Sequence, residues 1–215
     1  MNDQSTNAFM EVLTIYNQSI WPAQLTALFL STLLLGLLMF PRLGSDRLIS
    51  GLLALGWLWT GLVFMEIHLI KINWAAQYFG IVFATQGLLM IWSGLIKDRF
   101  RFNGDKSAAS WFGLLLVIFA LIIYPLGAIF VHGFSSVQLA GLAPTPLAIL
   151  TMGILLLCAN NSPIHLAVIP IVWSCADGAT ALNLGNWWDL SLPAAGLATT
   201  FFFIARPRRA QESSN

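Results

Sequence analysis

Apolar stretches alternate with short polar segments along most of this chain. Stretches of about 20 apolar residues are predicted to be transmembrane helices, because a helix rising about 1.5 Å per residue then covers a hydrocarbon core of about 30 Å. Seven stretches fit, at residues 22–40, 48–70, 74–96, 111–131, 146–159, 164–184 and 188–205. The fifth is short unless residues from Leu139 onward extend it. A re-entrant hairpin formed by the fifth and sixth stretches is an alternative with the same overall topology.

The N-terminal residues show a different pattern. Apolar side chains recur there at helical spacing, at Phe9, Val12, Leu13, Tyr16 and Ile20, with polar residues between them. This spacing predicts an amphipathic helix lying at the membrane interface. We therefore expect a tail and interfacial helix at residues 1–21, a seven-helix membrane domain at 22–205 and a basic tail at 206–215.

Composition supports an all-α integral membrane protein. Hydrophobic residues make up 58% of the chain and charged residues 9%, with a mean hydropathy of +0.78. A soluble domain carries about 25% charged residues. The predicted partner is the lipid bilayer. No basic tract is large enough to bind nucleic acid, so nucleic acid is not expected as a partner.

The distribution of basic residues predicts the orientation, since Lys and Arg in short loops favour the cytoplasm. Lys71 is alone on one side of the predicted membrane. The other side carries Arg42, Arg47, Lys97, Arg99, Arg101, Lys106, Arg206, Arg208 and Arg209. The N-terminus is therefore predicted outside, and the loop "KDRFRFNGDK" and the C-terminus in the cytoplasm.

Sequence motifs give no support for an enzyme. The chain has no HExxH, no GxSxG and no glycine-rich phosphate loop, and its last stretch lacks the lysine that would form a retinal Schiff base. Cys158 and Cys175 lie in apolar runs and form no CxxC pair. We expect no catalytic residue, no cofactor and no metal site.

Polar residues within the outer half of the predicted bundle are the candidates for a binding pocket. Counting residues places Asp177 roughly 20 Å from the cytoplasmic side and Glu66 roughly 27 Å from it. Tyr124 precedes Pro125, which interrupts the fourth stretch. The predicted pocket comprises Glu66, His68, Gln77, Tyr124 and Asp177. Acids in such a pocket can bind a cation or a proton.

Asp177 has two interpretations. A charged Asp at the centre of a membrane helix costs about 2.5–3.5 kcal/mol, so it should face the bundle interior. It is either a proton- or cation-binding group that shares a site with Glu66, or a protonated side chain. In the second case it would be hydrogen-bonded to a carbonyl freed by Pro170 or to a hydroxyl such as that of Thr151.

Several short motifs occur in an order that resembles the bacterial membrane proteins of domain-of-unknown-function family 6064. The motifs are "YNQSIWPAQ" (16–24), "SDRLIS" (45–50), "LGWLWTGLVF" (55–64), "INWAAQYFG" (72–80), "YPLGAIFVHG" (124–133), "PTPLAILTMGILLL" (144–157) and "IPIVWS" (169–174). The resemblance covers nearly the whole chain and implies an inner-membrane location without an established activity. The chain has Ala143 where the family pattern tends to have a cysteine, and Asp177 does not match an obligatory acid. No metal or proton role is therefore carried over from the family.

Two functions are compatible with these patterns. The first is binding or transport of a small solute or cation through an outward-facing polar pocket. The second is a non-transporting accessory or sensor protein that assembles with a partner. The sequence leaves open which protein partner that would be and whether the chain forms a homo-oligomer.

Overall fold

The computed structural model describes residues 2–40, 44–98, 107–158 and 164–205, with side chains from residue 6 onward. The described chain is helical, without a β-strand. Its α-helices are α1 Asn2–Ser19, α2 Ala23–Met39, α3 Ser45–Trp59, α4 Ala76–Met90, α5 Ala108–Ile118, α6 Tyr124–His132, α7 Pro144–Leu157, α8 His165–Leu184 and α9 Ser191–Ala205. The predicted cytoplasmic loop and the basic tail lie largely or wholly outside the described residues.

Three of the long helices contain wider π-helical turns. These turns are Thr60–His68 after α3, Ile91–Ile96 after α4 and Phe119–Ile123 between α5 and α6. The last one directly precedes Tyr124 and Pro125, so the helix axis continues past a proline that has no amide hydrogen to donate. Pro170 also lies inside a continuous α8.

Five continuous helices are long and apolar enough to cross a membrane. They are Ser45–Lys71, Ala76–Ile96, Ala108–His132, His165–Leu184 and Trp187–Ala205, and they match five of the seven predicted stretches. A sixth span is possible if Thr6–Ser19 and Ala23–Met39, which are bent by 87° at their junction, count together. The described residues thus support a multi-span helical membrane protein with five or six such spans.

The fifth predicted stretch forms a short central helix. Every residue from Pro144 to Leu156 is buried, and α7 packs against α5, α8 and α9. Its 14 residues extend only about 21 Å. Gly113 of α5 and Gly153 of α7 allow these two helices to approach closely. A Cβ at Gly113 would lie 2.7 Å from the Gly153 carbonyl oxygen, and a Cβ at Gly153 would lie 2.8 Å from that of Gly113. Residues from Leu139 onward do not extend this helix, which begins at Pro144, so the fifth predicted stretch is short.

Residues 137–143 form an extended, largely non-helical segment that leads into α7. Gly141 has a φ of +91°, a backbone conformation that favours glycine, and its Cα packs against Gly56 of α3. Side chains of α1 satisfy several backbone and hydroxyl groups here: Asn17 donates to the carbonyls of Ser135 and Val137, and Tyr16 donates to that of Leu142. Non-helical backbone is tolerated at membrane depth when it is buried in protein in this way.

The predicted amphipathic helix is present as α1, but its apolar stripe contacts protein. Leu13 and Tyr16 are each 1% exposed, and the helix packs against the segment after α6, against α8 and against the π-helical turn after α3. The most buried side chains of the stripe are therefore covered by the protein itself and not by lipid. The Tyr16 hydroxyl also accepts a hydrogen bond from the Trp59 indole at 2.9 Å.

Candidate functional site

A buried hydrogen-bonded network joins α6, the N-terminus of α7, α8 and the 3-10 turn Trp187–Leu190 before α9. Tyr124, the first residue of α6, is fully buried, and its hydroxyl donates to Oδ1 of Asp189. Asn186 donates from its amide to the other oxygen, Oδ2, at 2.6 Å. Asp189 is 6% exposed and Asn186 is 5% exposed, so the carboxyl group is held inside the protein by two donors.

Asp177 of α8 joins this network from the other side of Tyr124. The Thr145 hydroxyl at the start of α7 donates to Oδ2 of Asp177 at 3.1 Å and also interacts with the Tyr124 hydroxyl. Asp177 interacts electrostatically with Tyr124 and with Asp189. Two carboxyl groups from different elements therefore converge on one tyrosine, in a part of the chain that the sequence places within the membrane.

His132 connects the network to the end of α6. Its Nε2 lies 3.1 Å from Oδ1 of Asn186, and the side chain is partly exposed. Because the Asn186 amide nitrogen already donates to Asp189, its oxygen is the acceptor and His132 Nε2 is the donor. The chain of contacts thus runs from a partly exposed histidine through Asn186 and Asp189 to Tyr124.

Trp188 fixes the position of Tyr124 relative to the turn. Its indole N–H donates to the Tyr124 carbonyl at 3.2 Å, and its ring occupies the space beside Gly127. A Cβ at Gly127 would lie 1.9 Å from the ring, so the close contact requires glycine at this position. The ring also lies near Tyr124, with centroids 6.1 Å apart. Trp188 therefore connects the start of α6 to the turn that contains Asp189.

The structure brings together only part of the predicted pocket. Tyr124 and Asp177 share the network, whereas Gln77 is exposed on α4. The Glu66 carboxyl lies against Gly80 of α4, where a Cβ would meet its Oε1 at 2.3 Å. His68 is 8% exposed and lies 3.0 Å from the Ser19 hydroxyl, with its other ring nitrogen 2.9 Å from the Val63 carbonyl.

The carboxyl neighbour of Asp177 is therefore Asp189 and not Glu66 as the sequence suggested. The hydroxyl that binds Asp177 belongs to Thr145, whereas Thr151 accepts a hydrogen bond from Trp57 and donates to the Leu147 carbonyl. Asp189 and His132 are ionisable residues of the outer half of the predicted bundle, but only the turn at 185–190 brings Asp189 to Tyr124 and Asn186 to His132. Thr145 and Asn186 gave no separate signal in the sequence.

Other cavities lie away from this network. A cleft of about 810 Å³ lies between the α1–α2 junction and the π-helical turn 119–123 with α6. A second cleft, of about 260 Å³, lies between α2, α3 and residues 140–142. Both are mainly apolar, and neither is lined by Asp177, Tyr124 or Asp189. Within the described residues, no group of three His, Cys, Asp or Glu side chains is placed to hold a metal ion.

A family model described as a family of unknown function, DUF6064, matches residues 6–214 of the chain. Because the match covers nearly the whole sequence, the chain belongs to this family, as the order of its motifs indicated. No curated protein and no solved structure gives a significant match.

Proposed function

We propose that this DUF6064 protein is a multi-pass bacterial inner-membrane protein that binds and moves a small solute or cation, and that it does so at the network of Tyr124, Asp177 and Asp189. One observation carries the proposal: the carboxyl groups of Asp177 in α8 and of Asp189 in the turn before α9 interact with each other beside the fully buried Tyr124, whose hydroxyl donates to Asp189. Ionisable residues within membrane segments are rare and commonly mark ion pathways or proton relays. Paired acids favour a positively charged species over an anion.

The topology that accompanies this proposal has seven membrane-embedded segments with the N-terminus outside. The asymmetry of Lys and Arg supports it. Arg47, in the first turn of α3, forms an ion pair at 3.3 Å with Asp98, which follows the π-helical turn after α4, and this contact supports placing these two helix ends on one face. The bend of 87° between α1 and α2 supports an α1 that lies across the membrane normal while α2 follows it. In this arrangement α7 is a short segment within the bundle.

A broken fifth segment is also compatible with a binding role. Transporters commonly place their sites where a helix is discontinuous near the middle of the membrane. Here the extended residues 137–143 precede α7, and Thr145 at the start of α7 holds Asp177. This placement puts the carboxyl pair beside the N-terminal end of a helix that begins inside the bundle.

The test is a thermal-shift assay on the purified protein in nanodiscs. The probes are sodium, potassium, ammonium, methylammonium, choline and guanidinium chlorides at constant ionic strength and at several pH values. A cation that binds only the native state, present at a concentration of 100 times its Kd, stabilises the protein by about 2.7 kcal/mol. We expect a concentration-dependent rise in Tm for at least one cation in the wild type, and loss of this rise in Asp177→Asn.

The matched control is Thr180→Val, which changes an exposed residue of the same helix whose hydroxyl bonds only to the Ala176 carbonyl. It should keep the full response. A wild-type protein whose Tm responds to none of these cations, or an Asp177→Asn variant that responds like the wild type, would overturn the proposal. In that case the non-transporting accessory role becomes the better hypothesis.

A further inference from the structure

The hydrogen-bond donors around the two carboxyl groups are distributed unequally. Asp189 receives a donor at each oxygen, from the Tyr124 hydroxyl at Oδ1 and from the Asn186 amide at Oδ2. The Asn186 orientation is supported by His132, whose Nε2 faces the amide oxygen. A carboxyl group that accepts a hydrogen bond at each oxygen is suited to the ionised form, because both donors bond more strongly to a carboxylate than to a neutral acid.

Asp177 has the opposite environment. Thr145 donates to its Oδ2, and Oδ1 has no hydrogen-bond partner among the described residues. The side chain is partly exposed, while Asp189 is buried. A proton can therefore bind to Oδ1 of Asp177 without breaking any hydrogen bond of the network, and it can leave without stranding a donor.

Asp189 is the charged group that acts most directly on Asp177. Two carboxylates that interact in a poorly solvated site cannot both ionise without a large electrostatic cost. Other described titratable groups lie on α8 and on the helices packed against it. Three of them are exposed, namely Glu11, Tyr78 and Cys175. The other two form hydrogen bonds elsewhere, Tyr16 with the Leu142 carbonyl and His165 with Ser93. His132 reaches Asp189 through Asn186, whose amide oxygen faces its Nε2 and whose amide nitrogen donates to Asp189. Described residues of α7 and α9 carry no charged side chain.

We propose that the two acids of the network have different roles. Asp189 remains an ionised carboxylate that holds the Tyr124 and Asn186 donors in place, and Asp177 is the group that takes up and releases a proton. The inference rests on the proposed function, since it concerns the same site, and it assigns the exchange of a proton to one of the two acids.

Infrared difference spectroscopy tests this division without requiring a solute. The purified protein in nanodiscs is titrated with pH, and the carbonyl band of protonated carboxyl groups is followed in wild type, Asp177→Asn and Asp189→Asn. The wild type should show a band that appears on acidification, and Asp177→Asn should lack it. Asp189→Asn should keep a band, with its midpoint shifted to lower pH because the neighbouring negative charge has been removed.

Glu66→Gln serves as the matched control and should leave the band unchanged. Loss of the titrating band in Asp189→Asn with its retention in Asp177→Asn would reverse the assignment, and an unchanged band in both variants would overturn it. A variant that fails to fold is identified by its Tm, and Asp177→Glu then replaces it, with the expectation of a displaced band. A titrating Asp177 combined with no cation response in the thermal-shift assay would refute solute binding while leaving the proton site intact.

Discussion

The contact between α1 and the extended segment before α7 gives a quantitative prediction for Tyr16→Phe. The Tyr16 hydroxyl donates to the Leu142 carbonyl at 2.7 Å and accepts from the Trp59 indole at 2.9 Å. Phenylalanine keeps the ring, and with it the edge contacts to Phe64 and His68 at 5.0 Å. The substitution therefore removes two hydrogen bonds from a side chain that is 1% exposed and alters little else.

The expected loss of stability lies between two reference values. Leaving a buried polar group unpaired costs about 1–3 kcal/mol in soluble proteins. Interhelical hydrogen bonds in a membrane protein average only about 0.6 kcal/mol, with a maximum of about 1.7 kcal/mol, because the unfolded chain in the membrane also finds partners. Two such bonds give an expected destabilisation of about 1–3 kcal/mol for Tyr16→Phe, of which about 0.6–1.7 kcal/mol should appear as coupling between Tyr16 and Trp59.

Equilibrium unfolding in mixed micelles with a rising fraction of sodium dodecyl sulfate measures both quantities. A double-mutant cycle of Tyr16→Phe and Trp59→Phe isolates the coupling. Thr85→Val is the control, because this exposed threonine bonds only within its own helix, to Ile81, and should change stability by less than about 0.5 kcal/mol. The reasoning would be refuted if Tyr16→Phe were no more destabilising than Thr85→Val, or if the two aromatic substitutions showed no coupling.

Three further predictions concern topology, packing and the extent of the site. In a cysteine-free background, a cysteine at exposed Ser135 should react with an impermeant thiol reagent from outside intact cells, and one at Ser107 should not; labelling of Ser107 would contradict the orientation. Gly127→Val should destabilise the protein by about 1–3 kcal/mol because the new side chain overlaps a packed indole ring, whereas Gly36→Ala, with no atom within 4 Å, should not; equal melting temperatures would show that the ring is free to move. Glu66→Gln should leave any cation-induced rise in Tm unchanged, since this side chain lies outside the network. If the variant lost the rise in Tm, Glu66 would have to be included in the site.

The long helices could be predicted from the sequence because hydrophobicity and length are sufficient to identify a membrane span. The second predicted stretch, residues 48–70, lies within the observed Ser45–Lys71, and the sixth, 164–184, corresponds to α8. The complete burial of α7 could not be predicted in this way. Leucine and isoleucine suit both lipid and a protein interior, so an all-apolar helix carries no periodicity that would reveal its neighbours.

Half of the candidate site was predictable for a related reason. Asp177 and Tyr124 were found because polar side chains in apolar runs are conspicuous, and depth could be counted along the helix axis. Depth gives no information about which way a side chain points around that axis. Glu66 therefore appeared to be a neighbour of Asp177, whereas it lies against Gly80. Asp189 and Asn186 lie in a turn, where polar residues are ordinary, and only the folded path after Gly185 brings them to Tyr124.

The burial of α7 has a consequence for how the protein is made in the cell. An apolar segment of 10–14 residues is too short to be a stable independent membrane span, so α7 gains little from insertion on its own. Its buried surface is completed by α5, which is synthesised before it, and by α8 and α9, which are synthesised after it. The contacts of the central helix are therefore completed only after α9 has been synthesised, and ribosomes stalled before α9 should leave a nascent chain in which α7 is accessible to membrane-embedded chaperones and proteases.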